Sequence, residues 1–327
     1  MPRSTPEGSS PTTGSDPPGA RRIAILGPTA SGKSAVAMAL ARLWNSTGQR
    51  TEIVSCDAMQ VYRRMDIGTA KPGADERREV AHHMIDVAEP TEDHDLPRFL
   101  EAARRALEGI RARGANALLV GGTGLYVRGL VDGFDPPPHF PEVAAELESV
   151  ADTDELARRL AELDPRALER IPPGNRRRIV RALEVTIGSG TPFSEHGSSF
   201  DDFPATDVEL YALGPSRASM TTSIRERVDA QMEAGFLDEV ASLLEVPGGL
   251  SRNASQALGY RDLIAHLEGR RTLEEAVEDT KVRTRRFAVR QVRWFSRDPR
   301  IRWVAPPGDG GRSVDSVAAG IAGGFRK

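Results

Sequence analysis

The sequence predicts an α/β protein in which a parallel sheet is flanked by helices, and three observations support this. First, residues 27–34 read Gly-Pro-Thr-Ala-Ser-Gly-Lys-Ser and fit the phosphate-binding pattern G-x-x-x-x-G-K-[ST]. Second, a strand-like segment (21–26) precedes this loop and a helix-like segment (35–43) follows it, which is the order found around phosphate-binding loops. Third, the continuous apolar run 117–120 is typical of a strand buried in a parallel sheet. We therefore predict a P-loop NTPase-like core.

The loop at 27–34 is built to hold an anion. Gly27 and Gly32 let the backbone curl so that several N–H groups point at one ligand, and the following helix adds its partial positive charge. Lys33 brings a full charge to the outer phosphates, and the Ser34 hydroxyl can ligate Mg²⁺. A chance match in a glycine-rich turn is disfavoured because the strand and the helix are both in place. We expect a diphosphate or polyphosphate to be bound by Gly27, Pro28, Thr29, Ala30, Ser31, Gly32, Lys33 and Ser34.

Composition limits the class of protein. The chain has 327 residues, of which 39% are hydrophobic, and a formal net charge of −3, so it has enough apolar sequence for a large core. A single cysteine, Cys56, excludes an intramolecular disulfide and a cysteine-rich zinc site, and suits the reducing cytoplasm. No apolar run approaches the ~18 residues of a membrane span. We expect a cytoplasmic monomer, with residues 1–20 forming a disordered tail.

Two further segments end at the edge of the sheet where the phosphate loop lies. A second strand, 51–57, carries Asp57 at its C-terminal end, and ligands of open α/β sheets lie beyond these ends. Asp57 could also cap the turn that follows, and both roles can hold. After the strand at 117–120 comes Gly-Gly-Thr-Gly-Leu-Tyr at 121–126, a glycine turn that is common and weakly informative when taken alone. We expect Asp57 and this turn to face one cleft.

The segment between these strands contains a histidine pair. We predict a short strand at 84–87, directly after His82 and His83. Adjacent side chains of an extended segment point to opposite faces, so the two histidines cannot both bind one metal from there. A structural or substrate-contacting role for His82 is the modest interpretation. A helix is predicted at 96–113 from its apolar residues at helical spacing.

Proline-rich sequence at 133–138 ends the first part of the core. Residues 141–200 then have the patterns of helices only, with Asp152 and Asn175 placed as helix N-caps, and a strand resumes at 207–213. We therefore predict a small all-helical domain inserted into the sheet domain. The expected division is 21–132 and 205–327 for the core with its C-terminal helices, and 133–204 for the insertion.

The C-terminal part is helical and contains a strongly basic stretch. Thr272 begins a capping box, and residues 281–302 contain nine Lys or Arg residues against one acid. Spacings of 3, 4, 3 and 4 place five arginines on one helix face, with Ala288, Val292 and Phe295 opposite for docking on the core. Trp294, at the edge of the stripe, could stack on a base. The stripe is formed by Arg283, Arg286, Arg290, Arg293 and Arg297.

A polyanionic partner explains the basic stripe better than a solvated cationic face, because five aligned arginines repel one another. Arg176, Arg177, Arg178 and Arg181 form a second basic cluster in the insertion. The late strand ends in Gly-Gly-Thr rather than in an acid, and the GTPase pattern N-K-x-D is absent, which disfavours a hydrolytic motor. A small-molecule kinase and a transferase with a diphosphate leaving group both remain. A non-catalytic RNA-binding protein is disfavoured by the intact Lys33 and Ser34.

The complete set of motifs resembles the bacterial tRNA dimethylallyltransferases, over about residues 21–305. In this combination and order the motifs are highly specific, although the phosphate loop alone is shared with unrelated families. The matching segments are 27–34, Ser-Cys-Asp-Ala-Met-Gln-Val-Tyr at 55–62, Met-Asp-Ile-Gly-Thr-Ala-Lys-Pro at 65–72, His82, 119–126, 178–185, 258–260 and 290–294.

The resemblance implies a reaction. A dimethylallyl group would pass from its diphosphate to the exocyclic amine of the adenosine immediately 3′ to the anticodon, position 37, in tRNAs that read codons beginning with U. Asp57 would accept the proton of the amine, and Thr123 would bind the flipped base or orient Asp57. Lys33, Mg²⁺ on Ser34, and Arg227 would stabilise the leaving diphosphate. Ser223 stands where the family often has a further arginine.

The resemblance also implies a tRNA surface on which the inserted domain closes over the anticodon stem-loop, with the target base flipped into the cleft. Eukaryotic members carry a C-terminal zinc finger, which the single cysteine excludes here. The residues expected to contact tRNA are Asp57, Ala58, Met59, Gln60, His82, Thr123, Arg177, Arg178, Arg181, Gly259, Tyr260, Arg290, Gln291, Arg293 and Trp294.

Overall fold

The computed structural model describes residues 20–134, 136–196 and 202–325. The predicted disordered tail, 1–20, therefore lies outside the described residues except for its last position. Within the described ranges the chain forms one six-stranded parallel sheet with the order β3-β2-β4-β1-β5-β6. The strands are β1 (Arg22–Leu26), β2 (Thr51–Ser55), β3 (His82–His83), β4 (Asn116–Gly121), β5 (Glu209–Leu213) and β6 (Arg302–Val304). The predicted α/β class is confirmed.

Helices cover both faces of the sheet. The first part of the chain contributes α1 (Lys33–Ser46), α2 (Ala74–Glu79), α3 (Leu96–Ala112) and α4 (Gly124–Val131). After the insertion come α9 (Arg217–Glu233), α10 (Phe236–Leu244), α11 (Arg252–Ser255), α12 (Tyr260–Leu267), α13 (Leu273–Phe295) and α14 (Val314–Ala322). One apolar cluster joins α1 and α14 to the sheet, and a second joins α3, α4, α10, α12 and α13 to its other face. None of the described helices is both long and apolar enough to cross a membrane.

Among the described residues, four α-helices lie between α4 and β5, where the insertion was predicted: α5 (Pro141–Ser149), α6 (Thr153–Leu163), α7 (Pro165–Arg170) and α8 (Arg176–Ser189). They pack around an apolar cluster of their own, which includes Leu156 and Leu183. The two predicted N-caps are confirmed, because Asp152 accepts from the backbone N–H of Asp154, and Asn175 from that of Arg178. The exact domain boundaries stay a prediction.

The strand predicted at 84–87 is wrong. The structure places the short third strand at His82–His83, and the chain then leaves the sheet. Met84 and Asp86 have φ angles of 63° and 55°, in the left-handed region that an extended strand cannot contain. Asp86 is held there by two cations, since its carboxylate accepts hydrogen bonds from Lys71 (2.6 Å) and Arg77 (2.6 Å). This tertiary network overrides the apolar pattern of the segment.

Candidate active site

A cavity of about 440 Å³ lies at the C-terminal edge of β1, β2 and β4, beneath α9, α12 and α13. Parallel strands bring their following loops to one edge, which is why residues distant in sequence meet here. The predicted site residues that line it are Thr29, Lys33, Ser34, Asp57, Ala58, Met59, Gln60, His82, Thr123, Arg227, Tyr260, Arg290 and Gln291. The structure places Gly27, Pro28, Ala30, Ser31, Gly32, Arg177, Arg178, Arg181, Gly259, Arg293 and Trp294 outside its lining.

The phosphate loop has the backbone of an anion cradle. Gly27 (φ 136°) and Gly32 (φ 83°) adopt left-handed conformations, and a side chain at Gly27 would meet the Leu213 carbonyl at 2.7 Å. Among the described residues, the backbone N–H groups of 30–34 have no hydrogen-bond acceptor. The Ser31 hydroxyl is buried and has no hydrogen-bond partner within the described ranges either. Unused donors at the first turn of α1 favour a bound anion.

Two cations face the cavity beside this loop. The Lys33 ammonium donates to the Pro28 carbonyl (2.5 Å). Burial is the main cause and the nearby Arg227 guanidinium the second of a lowering of the pKa of Lys33 to about 7, a shift that Asp57 opposes. Arg227 comes from α9 and makes no hydrogen bond or ion pair with the part of the chain that is described; burial also lowers its pKa. Two neighbouring cations without a bound anion are a costly arrangement that a diphosphate would relieve.

Asp57 directly follows β2 and is oriented by the turn that it caps. One carboxylate oxygen, Oδ1, accepts from the backbone N–H of Met59 (2.8 Å) and of Gln60 (3.4 Å). The other oxygen has no hydrogen bond within the described ranges. Thr123 accepts through its hydroxyl from the backbone N–H of Ala58 (3.1 Å), and so ties the glycine turn to the residue after Asp57. The capping role and the cleft location expected for Asp57 thus occur together.

A second layer of contacts fixes the wall of the cavity, and its central residue, Glu239, was not predicted from the sequence. Glu239, on α10, accepts from the backbone N–H groups of residues 66–68 at 2.6–3.1 Å. The hydroxyl of Tyr260 donates to the same carboxylate (2.6 Å), so this predicted tRNA contact is fully buried. A side chain at Gly259 would meet Phe236 at 2.6 Å, which explains the glycine there. An acid in an amphipathic helix gives no sequence signal for such a role.

Gln60 and His82 complete this wall. The Gln60 amide accepts from the Ser55 hydroxyl (2.8 Å) and donates to the carbonyls of Thr69 and Ala70 (both 3.2 Å). The His82 ring nitrogen Nδ1 contacts the Val80 carbonyl (2.7 Å), and burial lowers the pKa of this imidazole. Both residues therefore lie in the cavity wall, consistent with the structural alternative stated for His82.

The basic helix α13 is exposed on one face, as predicted, but its stripe is interrupted. Arg286, Arg290 and Arg293 are exposed, whereas Arg283 forms an ion pair with the buried Asp262 (3.2 Å). The face against the core is formed by Ala276, Thr280, Thr284, Ala288, Gln291 and Phe295. The predicted apolar face is thus correct for Ala288 and Phe295, while Val292 is only half-buried.

Trp294 does not stand free at the edge of this stripe. Its indole packs over Gly124, where a side chain would clash with the ring at 2.1 Å, and against the core. The aromatic residue of α13 that lines the cavity is Phe287, which was not predicted from the sequence. The Arg290 guanidinium lies 5.6 Å from the centre of this ring. The i, i+3 spacing of Phe287 and Arg290 was the signal that could have found it.

The basic cluster of the insertion is only partly available. Arg177 and Arg178 are exposed and form no ion pair within the described ranges. Arg181 instead contacts Glu184 (2.7 Å) and donates to the Pro137 carbonyl (2.7 Å). Arg176 donates to the Glu148 carbonyl (3.1 Å) at the end of α5. Arg177 and Arg178 are therefore the members of this cluster that are free to meet a polyanion.

The fold and the site define a class: a P-loop NTPase-like protein whose phosphate cradle opens into a cavity containing a carboxylate. Residues 60–298 match the family model described as IPP transferase. This chain belongs to the IPP transferase family.

Named relatives and solved structures agree with this assignment. The chain is 44% identical to the tRNA dimethylallyltransferase of Desulforudis audaxviator, over 86% of this chain and 91% of that protein. It is similar to the crystal structure of a tRNA isopentenylpyrophosphate transferase from Bacillus halodurans (34% identity, TM-score 0.65, covering 93% and 96%). It is also similar to a eukaryotic dimethylallyltransferase captured acting on tRNA (25% identity, TM-score 0.79, covering 94% and 79%).

Proposed function

We propose that this chain transfers a dimethylallyl group from dimethylallyl diphosphate to the exocyclic amine of adenosine 37 in tRNAs that read codons beginning with U. The observation that carries the proposal is that Thr29, Lys33 and Ser34 of the phosphate loop line the same cavity as Asp57. The names of the relatives, which act on tRNA, support the acceptor. The exposed arginines of α8 and α13 supply the positive surface that a polyanion needs.

The reaction breaks the bond between the allylic carbon and a diphosphate oxygen, and forms a bond from that carbon to the adenine nitrogen. Negative charge grows on the departing oxygen, where the N–H groups of 30–34, Lys33 and Arg227 stabilise it. The adenine amine is a weak nucleophile because its lone pair is delocalised into the ring. The free oxygen of Asp57 accepts the proton that the amine loses as the new bond forms.

The residues of the cavity fit a magnesium ion that would take most of its ligands from oxygens of the substrate. The Ser34 hydroxyl lies in the first turn of α1, lines the cavity and has no hydrogen bond with any described residue. Ser34 would hold Mg²⁺ together with oxygens of the diphosphate, as hydroxyls of phosphate loops do. When bound, the ion would offset the charge of the leaving diphosphate.

The function is tested by incubating the protein with radiolabelled dimethylallyl diphosphate, Mg²⁺ and unmodified tRNA that carries adenosine 37. Label should appear in that nucleoside after digestion. A matched tRNA with guanosine at this position should remain unlabelled. If the protein bound the tRNA that carries adenosine 37 but transferred no label, tRNA would remain the proposed partner and dimethylallyl diphosphate would be rejected as the donor.

Phe287 is expected to stack on a base of the RNA. A flipped base loses its neighbours, and an aromatic ring can replace about 1–3 kcal/mol of that stacking. Phe287→Ala should therefore weaken binding of an anticodon stem-loop by about 5- to 150-fold, with little change in the KM for dimethylallyl diphosphate. Phe287→Tyr should retain affinity for the stem-loop. Trp303→Ala, which removes an exposed aromatic side chain on β6, serves as the control. A Phe287→Ala variant with normal RNA affinity would contradict the assignment.

The exposed arginines of α13 are expected to set the salt dependence of tRNA binding. Replacing Arg290 and Arg293 by glutamine should reduce the slope of log affinity against log salt by about 0.7–0.9 for each lost phosphate contact. Arg283→Gln is the matched control, because its guanidinium is paired with Asp262 and should not contribute to the slope. An unchanged slope in the double variant would make this helix face structural.

A further inference from the structure

Gln291 lies between the two loops that form the floor of the site. Strands β1 and β4 are hydrogen-bonded neighbours, with Leu26 opposite Gly121. The phosphate loop leaves β1 towards α1 on one face of the sheet, whereas the glycine turn leaves β4 towards α4 on the other. Adjacent strands whose connections depart to opposite faces leave a crevice between the loops. The side chain of Gln291, 7% exposed, fills this crevice.

Both ends of the Gln291 amide are used, one by each loop. Its oxygen accepts from the backbone N–H of Thr29 in the phosphate loop (2.9 Å), and its nitrogen donates to the Gly122 carbonyl in the glycine turn (2.9 Å). A side chain at Gly122 would lie 2.1 Å from this nitrogen, so the contact depends on glycine. Strand pairing cannot satisfy these two backbone groups, because both strands have already ended. The amide therefore holds the two loops at a fixed separation.

The same helix presents its arginines to the proposed RNA. Arg290 and Arg293 flank Gln291 and are exposed, while Gln291 points to the core. A shift of α13 when RNA binds its outer face would be transmitted to Thr29 by a single side chain. We infer that Gln291 is a positioning residue that sets the shape of the phosphate loop, and that it couples RNA binding on α13 to diphosphate binding. The tRNA contact expected for Gln291 stays a prediction that this role does not require.

The positioning role does not depend on the proposed function and is tested on the RNA-free protein with inorganic diphosphate and Mg²⁺. Gln291→Met keeps a similar volume but removes both hydrogen bonds, leaving the part-buried Thr29 N–H and the buried Gly122 carbonyl without this partner. Its diphosphate affinity should fall about tenfold, as expected for the loss of roughly 1–2 kcal/mol. Ala276→Gly is the control, because this buried residue of α13 lies in the core cluster and the change destabilises a helix without touching either loop. Equal diphosphate affinity in Gln291→Met and the wild type would overturn the inference.

In Gln291→Glu, diphosphate affinity should be restored at low pH, a result that a loss of stability would not produce. A protonated carboxyl accepts from Thr29 and donates to Gly122 as the amide does, whereas the carboxylate cannot donate and repels diphosphate. The charged and titratable groups that line the same cavity are Lys33 on α1, Asp57 after β2, Glu76 on α2, His82 on β3, Arg227 on α9 and Arg290 on its own helix. Because burial raises the pKa of a carboxyl above its usual value of about 4.3, the diphosphate affinity of this variant, as a ratio to the wild type at the same pH, should rise as the pH falls from 8 to about 4.5. A ratio that is independent of pH would overturn the inference.

The coupling, which rests on the proposed function, is measured as the ratio of diphosphate affinities with and without saturating anticodon stem-loop. We expect a ratio of about five or more in either direction for the wild type and for Ala276→Gly, and a ratio near one for Gln291→Met. A wild type that transfers label normally but shows a ratio of one would remove the coupling and leave the function intact. Absence of label transfer would remove the function and leave the result on RNA-free protein standing.

Discussion

Replacing Asp57 by asparagine is expected to lower the rate of prenyl transfer by about 10²–10⁴-fold, the usual contribution of a general base. The asparagine carbonyl can still accept from the backbone N–H groups of Met59 and Gln60, so the turn after β2 is preserved. What is lost is the second carboxylate oxygen, which has no other partner among the described residues and can take the proton. The rate should be measured in a single turnover with saturating tRNA and dimethylallyl diphosphate.

Measuring tRNA binding distinguishes a role of Asp57 in proton transfer from a structural role. Asp57→Asn should bind tRNA with near-normal affinity, because the exposed arginines of α8 and α13, which we propose to contact the RNA, are unchanged. Thr123→Val is the companion variant: it removes the acceptor for the Ala58 N–H and should lower the rate less than Asp57→Asn does, while leaving the carboxylate in place. If Asp57→Asn retained near-normal turnover, another group would have to accept the proton.

The parts of this site that could be predicted from sequence are those encoded locally. The phosphate loop and the position of Asp57 each follow from one continuous segment, because a strand and the turn after it fix where the side chain lies. The N-caps at Asp152 and Asn175 were predictable for the same reason. Spacing along α13 also gave the exposed position of Arg290 and Arg293, since helical periodicity needs no tertiary information.

The parts that were missed depend on contacts between distant segments. Glu239 holds residues 66–68 across more than 170 positions of sequence, and nothing in its own helix marks it. Arg283 fits the basic stripe by spacing alone, but the buried Asp262 on the preceding helix pairs with it. The segment 84–87 has the composition of a strand, yet Lys71 and Arg77 hold Asp86 outside the sheet. In each case a tertiary partner decides between states that the local pattern allows.

Lys33→Met is expected to reduce kcat/KM for dimethylallyl diphosphate by about 10²–10³-fold, as removal of a group that stabilises developing negative charge does. The loss should be accompanied by a gain in stability. In the free protein the pKa of Lys33 is about 7 against its usual 10.5, so the charged side chain costs stability fully below pH 7 and not at all above about 10.5. Thermal melting should therefore show a higher melting temperature for Lys33→Met at pH 6 and no difference near pH 10.5. If Lys33→Met lost both activity and stability at pH 6, the explanation that the buried charge of Lys33 destabilises the free protein would be wrong.

The lowered pKa of Lys33 also predicts how diphosphate affinity changes with pH. Diphosphate favours the ammonium form and raises the pKa of Lys33 on binding, so binding takes up a proton whenever the free lysine is neutral. Diphosphate affinity should then decline above about pH 7, by at most tenfold per pH unit, and this decline should be absent in Lys33→Met. Arg227→Met removes the guanidinium that helps to lower the pKa of Lys33, and should move the start of the decline to higher pH even though it weakens binding overall. If the decline began at the same pH in the wild type and Arg227→Met, the two cations would not be coupled, and Arg227 would act on the diphosphate independently of Lys33.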